Sequence, residues 1–265
     1  MSLKSLLSTP LFRAAKVNES VYDGVILVTN CGKNVAETPQ LKELSAAVLD
    51  FIEARLIRLE YVGEGTIENT YFLVGKGVTI DTGGIDLKTG GHMWGMCRDK
   101  YGSAVVAGFF KALELLKPKN IKVVGYMCMV RNSIGSHGYT TDEVLTARSG
   151  KRIHIYNTDA EGRITMLDPL TKAKEEDFDF HKAECEQAHL RQTGLKPSAQ
   201  TLRGHQCPGA FMIMASRLDE HGCDSDHPLK FTHIDMGSAA GDHPETSFPN
   251  PLVTLVADLI LPKHQ

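Results

Sequence analysis

The segment of this 265-residue chain whose side chains are best suited to bind a cation or catalyse a reaction runs from Asn157 to Arg163. It reads Asn-Thr-Asp-Ala-Glu-Gly-Arg. Asp159 and Glu161 are two residues apart, so in extended backbone their carboxylates point to the same side. Two carboxylates that close repel each other unless a proton or a cation lies between them. The alternating residues Ile153 to Tyr156 predict a strand that leads into this segment. The pattern indicates a cation site, and the alternative is a solvent-exposed acidic turn.

A second candidate group lies upstream, on a buried strand that we predict for residues 71–81. The stretch is apolar and β-branched apart from Lys76, and it ends at Asp81 before a Gly-rich loop. Open α/β sheets usually carry their sites at the carboxyl ends of strands. A lysine within such a strand is costly unless it is paired or neutral. Because Lys76 and Asp81 are an odd number of residues apart, we expect a bulge at the neighbouring glycines to bring them together.

These residues resemble the leucine aminopeptidase family, the dinuclear-metal M17 peptidases. The resemblance covers about residues 57–170, and Phe231 to Met236 is similar to a late strand of the family. Since family members are longer, it implies a shortened member. The resemblance rests on the signature Asn157 to Arg163, on Val74-Gly75-Lys76-Gly77, on Asp81-Thr82-Gly83-Gly84, on Lys88 and on Arg98-Asp99.

The resemblance implies a set of ligands for two metal ions. Lys76, Asp81, Asp99 and Glu161 would hold the tighter ion, and Asp81, Asp159 and Glu161 the more exchangeable one. Two divalent cations would neutralise these carboxylates. Oxygen-rich ligation suits zinc or manganese, with magnesium and cobalt as further options. Lys76 must be neutral to donate its lone pair, and adjacent dications favour that form.

The reaction that the resemblance implies is hydrolysis of the N-terminal residue of a peptide, with water activated by two metals. Lys88 would polarise the scissile carbonyl and stabilise the oxyanion. Arg163 would hold a bicarbonate ion that acts as general base. Without the resemblance, Lys88 is consistent with a surface lysine and Arg163 with a structural salt bridge. The alternative function is a catalytically impaired homologue that serves as an assembly or regulatory subunit.

Composition excludes several other classes of protein. The chain is 42% hydrophobic and 23% charged, which is ordinary globular usage. A formal net charge of −3 gives no basic surface for nucleic acid, and no apolar run approaches the roughly 20 residues that cross a bilayer. The 6 cysteines form no Cys-x-x-Cys pair and predict reduced thiols. We expect peptide substrates, no nucleic-acid or membrane partner and, by resemblance, a homo-oligomer that is a hexamer.

The N-terminal segment allows two locations. Residues 1–18 contain three basic residues, several serines and no acidic residue, a composition compatible with a mitochondrial presequence. Pro10 interrupts this segment, and residues 21–29 predict a folded strand. We therefore predict a cytoplasmic protein, with a mitochondrial location as the alternative.

Strands alternate with helices along the chain, which predicts an α/β fold with a central mixed, mostly parallel sheet sandwiched between helices. Residues 1–56 are expected to be a short remnant of the family's N-terminal domain, and residues 57–265 the catalytic domain. The charged run 172–179 stands where the family has a strand that lines its pocket, so we expect an internal segment to be lacking after about residue 170. The predicted strands are 25–28, 71–81, 121–130 and 151–156, and the predicted helices 41–57, 104–116, 210–218 and 252–261.

Overall fold

A computed structural model describes residues 54–136, 138–175, 188–193, 206–236 and 250–263 of the chain. These residues form two compact units. The first comprises residues 54–80, 95–131 and 250–263, and the second comprises 81–94 and the described part of 132–236. The predicted strand at 25–28 and nearly all of the predicted N-terminal remnant lie outside the described residues.

The first unit is built on a three-stranded sheet of β1 (Arg55–Val62), β2 (Asn69–Asp81) and β3 (Ile121–Asn132), in the order β1-β3-β2. β1 pairs antiparallel with β3. β2 runs parallel to β3, since Gly77 lies against the Cys128 carbonyl and the Thr79 hydroxyl donates to the Val130 carbonyl oxygen at 3.0 Å. The last residues of β2 and β3, at positions 81 and 132, belong to the second unit.

One helix and a C-terminal helical segment complete the core of the first unit. Helix α1 (Tyr101–Leu116) places Val106, Phe109, Phe110 and Leu113 at helical spacing, and all four are buried against the sheet. Burying each such side chain contributes about 1.5–3 kcal/mol. The helix ends where Lys117 adopts a left-handed φ of 45° before a proline. The C-terminal segment, Leu252–Leu255 followed by residues 256–263, packs against α1.

The described part of the second unit has a smaller sheet and three α-helices. Strands β4 (Val144–Thr146), β5 (Arg152–His154) and β6 (Leu190–Arg191) lie in chain order, with β4 antiparallel and β6 parallel to β5. The helices are α2 (Glu161–Thr165), α3 (Leu167–Glu175) and α4 (Gln206–Ala215). The core consists of Ala147, Ile153, Ile155, Leu167, Phe211, Met212 and Ala215.

The α/β class with mixed sheets is confirmed, because each sheet contains one parallel and one antiparallel pair of strands. The predicted strands at 71–81 and 121–130 and the helices at 104–116 and 252–261 are present, with bounds that differ by a few residues. Within the described ranges, none of the helices combines the length and apolarity that crossing a bilayer requires.

Three sequence predictions about local structure are wrong, two of them only in where a helix ends. The helix predicted for residues 41–57 is wrong at its C-terminal end. Residues 55–57 are the first residues of β1, in which Ile57 and Leu59 face the core with a period of two. Residues 231–236 form no strand, since none of the described strands pairs with them. The helix predicted to reach residue 218 ends at Ala215, ahead of a left-handed Arg217. Residues 190–191 form the two-residue strand β6, which was not predicted from the sequence.

Candidate metal centre

The signature segment folds as a helical turn, and this corrects the extended geometry that its spacing suggested. Asn157 is extended, with φ −150° and ψ 120°, and its side-chain oxygen accepts a hydrogen bond from the Asp159 amide at 2.7 Å. A 3-10 turn follows at Thr158–Ala160, and Glu161 begins α2. An asparagine cap of this kind satisfies an amide that the turn itself leaves unpaired. The two acidic residues therefore converge through a capped turn.

Three carboxylates in the second unit come together at one point. Asp81, Asp159 and Glu161 each offer an oxygen within 4.8 Å of the others. Asp81 is 4% exposed and Glu161 3% exposed, whereas Asp159 is open to solvent. Buried carboxylates at this spacing require positive charge or hydrogen-bond donors for their stability. The donor set, made only of carboxylate oxygens, fits a hard or borderline divalent cation.

Asp81 is held by both of its oxygens. Oδ1 accepts hydrogen bonds from the Gly83 amide at 3.0 Å and from Asn132 Nδ2 at 2.8 Å. Oδ2 lies 3.0 Å from the ammonium of Lys88. These contacts fix the carboxylate at the end of β2, where the sequence predicted a functional side chain.

Lys88 lies among the acidic residues of the second unit. Its ammonium is 3.0 Å from Asp81 Oδ2 and 2.5 Å from Asp159 Oδ1, and its side chain is 15% exposed. Burial lowers the pKa of Lys88, but hydrogen bonds and charges from Asp159 and Asp81 outweigh burial and raise the pKa above its ordinary value. Lys88 is therefore protonated at neutral pH, and its ammonium offsets part of the carboxylate charge.

Two glycines shape the loop that carries Lys88. Gly83 and Gly84 have φ values of 90° and 68°, a region that side chains rarely adopt. A Cβ at Gly84 would lie 2.8 Å from Thr158 Oγ1, and a Cβ at Gly83 would lie 3.2 Å from Asp159 Oδ1. The glycines thus permit both the turn and a close approach to the signature segment.

Asp86 joins the same two segments through reciprocal hydrogen bonds. The Thr158 amide donates to Asp86 Oδ2 at 2.7 Å, and the Asp86 amide donates to Thr158 Oγ1 at 2.9 Å. The Thr141 hydroxyl donates to the same carboxylate oxygen at 3.2 Å. Hydrogen bonds to a charged acceptor are stronger than neutral ones. The loop after β2 and the signature turn are therefore fixed against each other.

Gln192 anchors the signature segment from the other side. This side chain is fully buried, and its Oε1 accepts from the amides of Tyr156 at 3.2 Å and Asn157 at 3.1 Å. Its Nε2 donates to the Ala160 carbonyl oxygen at 3.1 Å. One amide side chain thereby satisfies three backbone groups of the segment, which would be costly to bury unpaired.

Arg163 lies on α2 and donates from Nη1 to the Gln192 carbonyl oxygen at 3.2 Å. Burial lowers the pKa of the guanidinium, and Coulombic interactions with Cys207, Glu161 and Asp235 offset part of that effect. Arginine remains charged at neutral pH despite such a shift. The positive charge of Arg163 is thus placed in the same unit as the carboxylate cluster.

Tyr139 adds a polar group that the sequence analysis did not single out. Its hydroxyl is buried and has no hydrogen-bond partner among the described residues. Burial raises the pKa of this phenol, and the charges of Glu161 and Asp81 raise it further. The hydroxyl is therefore neutral and lies within the electrostatic reach of two cluster carboxylates.

Two further predicted ligands, Lys76 and Asp99, belong to the first unit and pair with each other. Lys76 Nζ lies 2.7 Å from Asp99 Oδ2. A Cβ at Gly75 would lie 2.5 Å from the Gly102 carbonyl oxygen, and a Cβ at Gly102 would lie 2.7 Å from the Lys76 amide nitrogen. Gly75 and Gly102 therefore permit a close contact between the backbones of β2 and the start of α1. β2 continues through Gly75 and Gly77 as one strand, and the bulge expected there remains a prediction.

Four polar residues that contact or surround the carboxylate cluster and the signature segment were not predicted from the sequence: Asp86, Asn132, Tyr139 and Gln192. A signal existed for Asn132, which ends a buried strand and so stands at a position typical of site residues. No comparable local signal marks Gln192, because its partners are 32 to 36 residues away in the chain.

Comparison with known proteins identifies similar chains. A family model described as the cytosol aminopeptidase family, catalytic domain, matches residues 45–185, more than half of the chain. A Caenorhabditis elegans protein whose name assigns it to the aminopeptidases is 60% identical over 273 residues, covering 79% of this chain and 52% of the relative. An Exiguobacterium sibiricum protein whose name assigns it to the cytosol aminopeptidases is 45% identical over 124 residues, covering 47% of this chain and 26% of the relative.

A solved structure is also similar in part. The apo structure of leucyl aminopeptidase from Trypanosoma cruzi has a TM-score of 0.45 and 37% identity, covering 48% of this chain and 24% of that chain. The present chain spans about half the length of the nematode relative and about a quarter of the bacterial one.

Proposed function

We propose that this chain, which belongs to the cytosol aminopeptidase family, is a metal-dependent aminopeptidase that removes N-terminal residues from peptides. The observation that carries the proposal is the convergence of Asp81, Asp159 and Glu161 within 4.8 Å. These residues fit a divalent cation because two of them are buried carboxylates that need a counter-charge. When bound, divalent cations supply Lewis acidity toward a carbonyl oxygen and toward water.

The side chains of the cluster would perform distinct tasks. Asp81 and Glu161 would be ligands with fixed positions, since both are buried. Asp159 would be an adjustable ligand, because it is exposed. The two-ion assignment, which adds Lys76 and Asp99 as ligands, and the choice among zinc, manganese, magnesium and cobalt remain predictions from the family resemblance.

Lys88 is the proposed electrophilic residue. Its raised pKa keeps it protonated, and a flexible four-carbon chain lets the ammonium move between carboxylates and substrate. A positive charge beside the scissile carbonyl would stabilise the oxyanion that forms when water attacks. The proposed role of Arg163, to hold bicarbonate as a general base, remains a prediction. So do the hexamer and the cytoplasmic location.

The proposal is tested by metal content and by hydrolysis of a leucyl chromogenic amide, measured for the full chain and for Glu161→Gln. Glu143→Gln is the matched control, because Glu143 is an exposed glutamate of the same unit. We expect bound divalent metal and turnover in the wild type and the control, and loss of both in Glu161→Gln. Metal binding without turnover in the wild type would favour the impaired homologue. Absence of metal binding by the wild type would overturn the proposal.

A further inference from the structure

We propose that Asn132 is a positioning residue of the metal centre, whose carboxamide holds the buried ligands Asp81 and Glu161 and the signature turn in one arrangement. This inference rests on the proposed function and adds a residue to its site. Asn132 is not itself a proposed ligand, since its nitrogen faces the carboxylates as a donor.

The contacts of Asn132 converge on the cluster. Nδ2 donates to Asp81 Oδ1 at 2.8 Å, to the Thr158 carbonyl oxygen at 3.1 Å and to Glu161 Oε2 at 3.3 Å. An amide nitrogen carries two hydrogens, so the longest of the three contacts shares a hydrogen with another. All three neighbours are acceptors, and this settles which end of the carboxamide faces them. A single neutral donor group thus joins the end of β2 to the signature segment.

The backbone of Asn132 is fixed as firmly as its side chain. Its carbonyl oxygen accepts hydrogen bonds from the Thr82 amide and the Thr82 hydroxyl, both at 2.9 Å. A Cβ at Gly84 would lie 2.9 Å from Asn132 Oδ1, so the loop after β2 packs directly on the carboxamide. The side chain therefore has little freedom to leave the carboxylates.

The chemical type of the residue suits this role. A neutral amide lowers the repulsion between Asp81 and Glu161 without bringing a positive charge that would compete with a cation. An aspartate at position 132 would add a negative charge and remove the donor. Hydrogen bonds to ligating carboxylates typically contribute about 10- to 100-fold to metal affinity or activity.

The test measures manganese binding to metal-free protein by competition with a chromophoric chelator, for the full chain and two variants. We expect Asn132→Ala to weaken manganese binding by about 10- to 100-fold. Asn132→Leu has nearly the wild-type volume and no hydrogen-bond donor, so it provides a second comparison if the alanine variant does not fold; we expect it to weaken binding as well. Asn69→Ala, at an exposed asparagine, is the control.

A purely structural role would lower the melting temperature of the metal-free variants but leave the manganese affinity of the folded protein unchanged, and that result would overturn the inference. The proposed function is judged separately from the wild type and Glu161→Gln. If the wild type binds manganese and Glu161→Gln does not, unchanged affinity in the folded Asn132 variants rejects only the positioning role.

Discussion

The ammonium of Lys88 lies 2.5 Å from Asp159 Oδ1, and the same nitrogen lies 3.0 Å from Asp81 Oδ2. One side chain therefore balances two of the three clustered carboxylates. Asp81 and Lys88 belong to the end of β2 and the loop after it, whereas Asp159 belongs to the signature segment. Their proximity is therefore a property of the second unit as a whole.

Replacing Lys88 tests this balance. We expect Lys88→Met to lower the free energy of unfolding of the metal-free protein by about 1–3 kcal/mol, because the buried carboxylate of Asp81 loses a charged donor. Lys111→Met is the control, since Lys111 pairs at 2.7 Å with Glu114, its neighbour three residues on in α1, and such a helix pair should contribute less than about 1 kcal/mol. Urea denaturation of both variants measures the difference. Equal losses of unfolding free energy would show that the Lys88 contacts stabilise the protein no more than the Lys111–Glu114 pair does.

The loop glycines allow a comparison of two similar backbone positions. Gly84 and Gly91 have φ values of 68° and 84°, but a Cβ at Gly84 would meet Thr158 Oγ1 at 2.8 Å, whereas a Cβ at Gly91 would meet nothing within 4 Å among the described atoms. Gly91→Ala should cost about 1–2 kcal/mol of backbone strain. Gly84→Ala should cost about 1–3 kcal/mol more through overpacking. Thermal melting of the two variants measures which loses more stability. Equal losses in Gly84→Ala and Gly91→Ala would contradict the close packing of the loop on the signature segment.

Gln192→Leu removes a buried amide while keeping a similar volume. The amides of Tyr156 and Asn157 and the Ala160 carbonyl would lose their partner, and leaving buried polar groups unpaired costs about 1–3 kcal/mol. Gln206→Leu, at an exposed glutamine, should change stability by less than about 0.5 kcal/mol. Urea denaturation measures both variants. A Gln192→Leu protein as stable as the wild type would contradict the anchoring role.

From the burial of the Cys128 thiol, we expect the folded protein to lose stability at high pH. Burial raises the pKa of its thiol to about 12 in the folded protein, above the ordinary value of 9.0. Above pH 9 the unfolded chain loses this proton first, so the contribution of Cys128 is complete below that pH and falls as the pH rises toward 12. Unfolding free energies of the wild type and Cys128→Ala, measured across this range, should converge as the pH rises. A constant difference between them would contradict the raised pKa.

The same burial predicts selective alkylation of the native protein. Cys207 and Cys223 are exposed, whereas Cys128 is buried, and the thiolate is the reactive form. Mass spectrometry after iodoacetamide treatment near neutral pH should find the two exposed cysteines modified and Cys128 protected. Modification of Cys128 without unfolding would contradict its burial.

Residue type and local spacing were sufficient to identify the strand that ends at Asp81 and the acidic pair of the signature segment. The roles predicted for Lys88 and Arg163 came from the family resemblance. Buried strands and amphipathic helices have short-range patterns, so β2, β3 and α1 were predicted close to their observed bounds. The two-residue strand β6 was missed because a period of two cannot be detected over two residues. The segment 231–236 is similar to a late strand of the family, but none of the described strands pairs with it, and pairing of backbone groups depends on tertiary structure.

The sequence by itself determined which side chains can bind a cation, since carboxylates, an amine and their flanking glycines are properties of the chain. Only the tertiary structure decided how these side chains are held. Asn132 contacts Asp81 across 51 residues and Glu161 across 29, and Lys88 reaches Asp159 from another loop. Such contacts depend on how strands pair and loops pack, and no local period of the sequence encodes the partner of a hydrogen bond so distant along the chain.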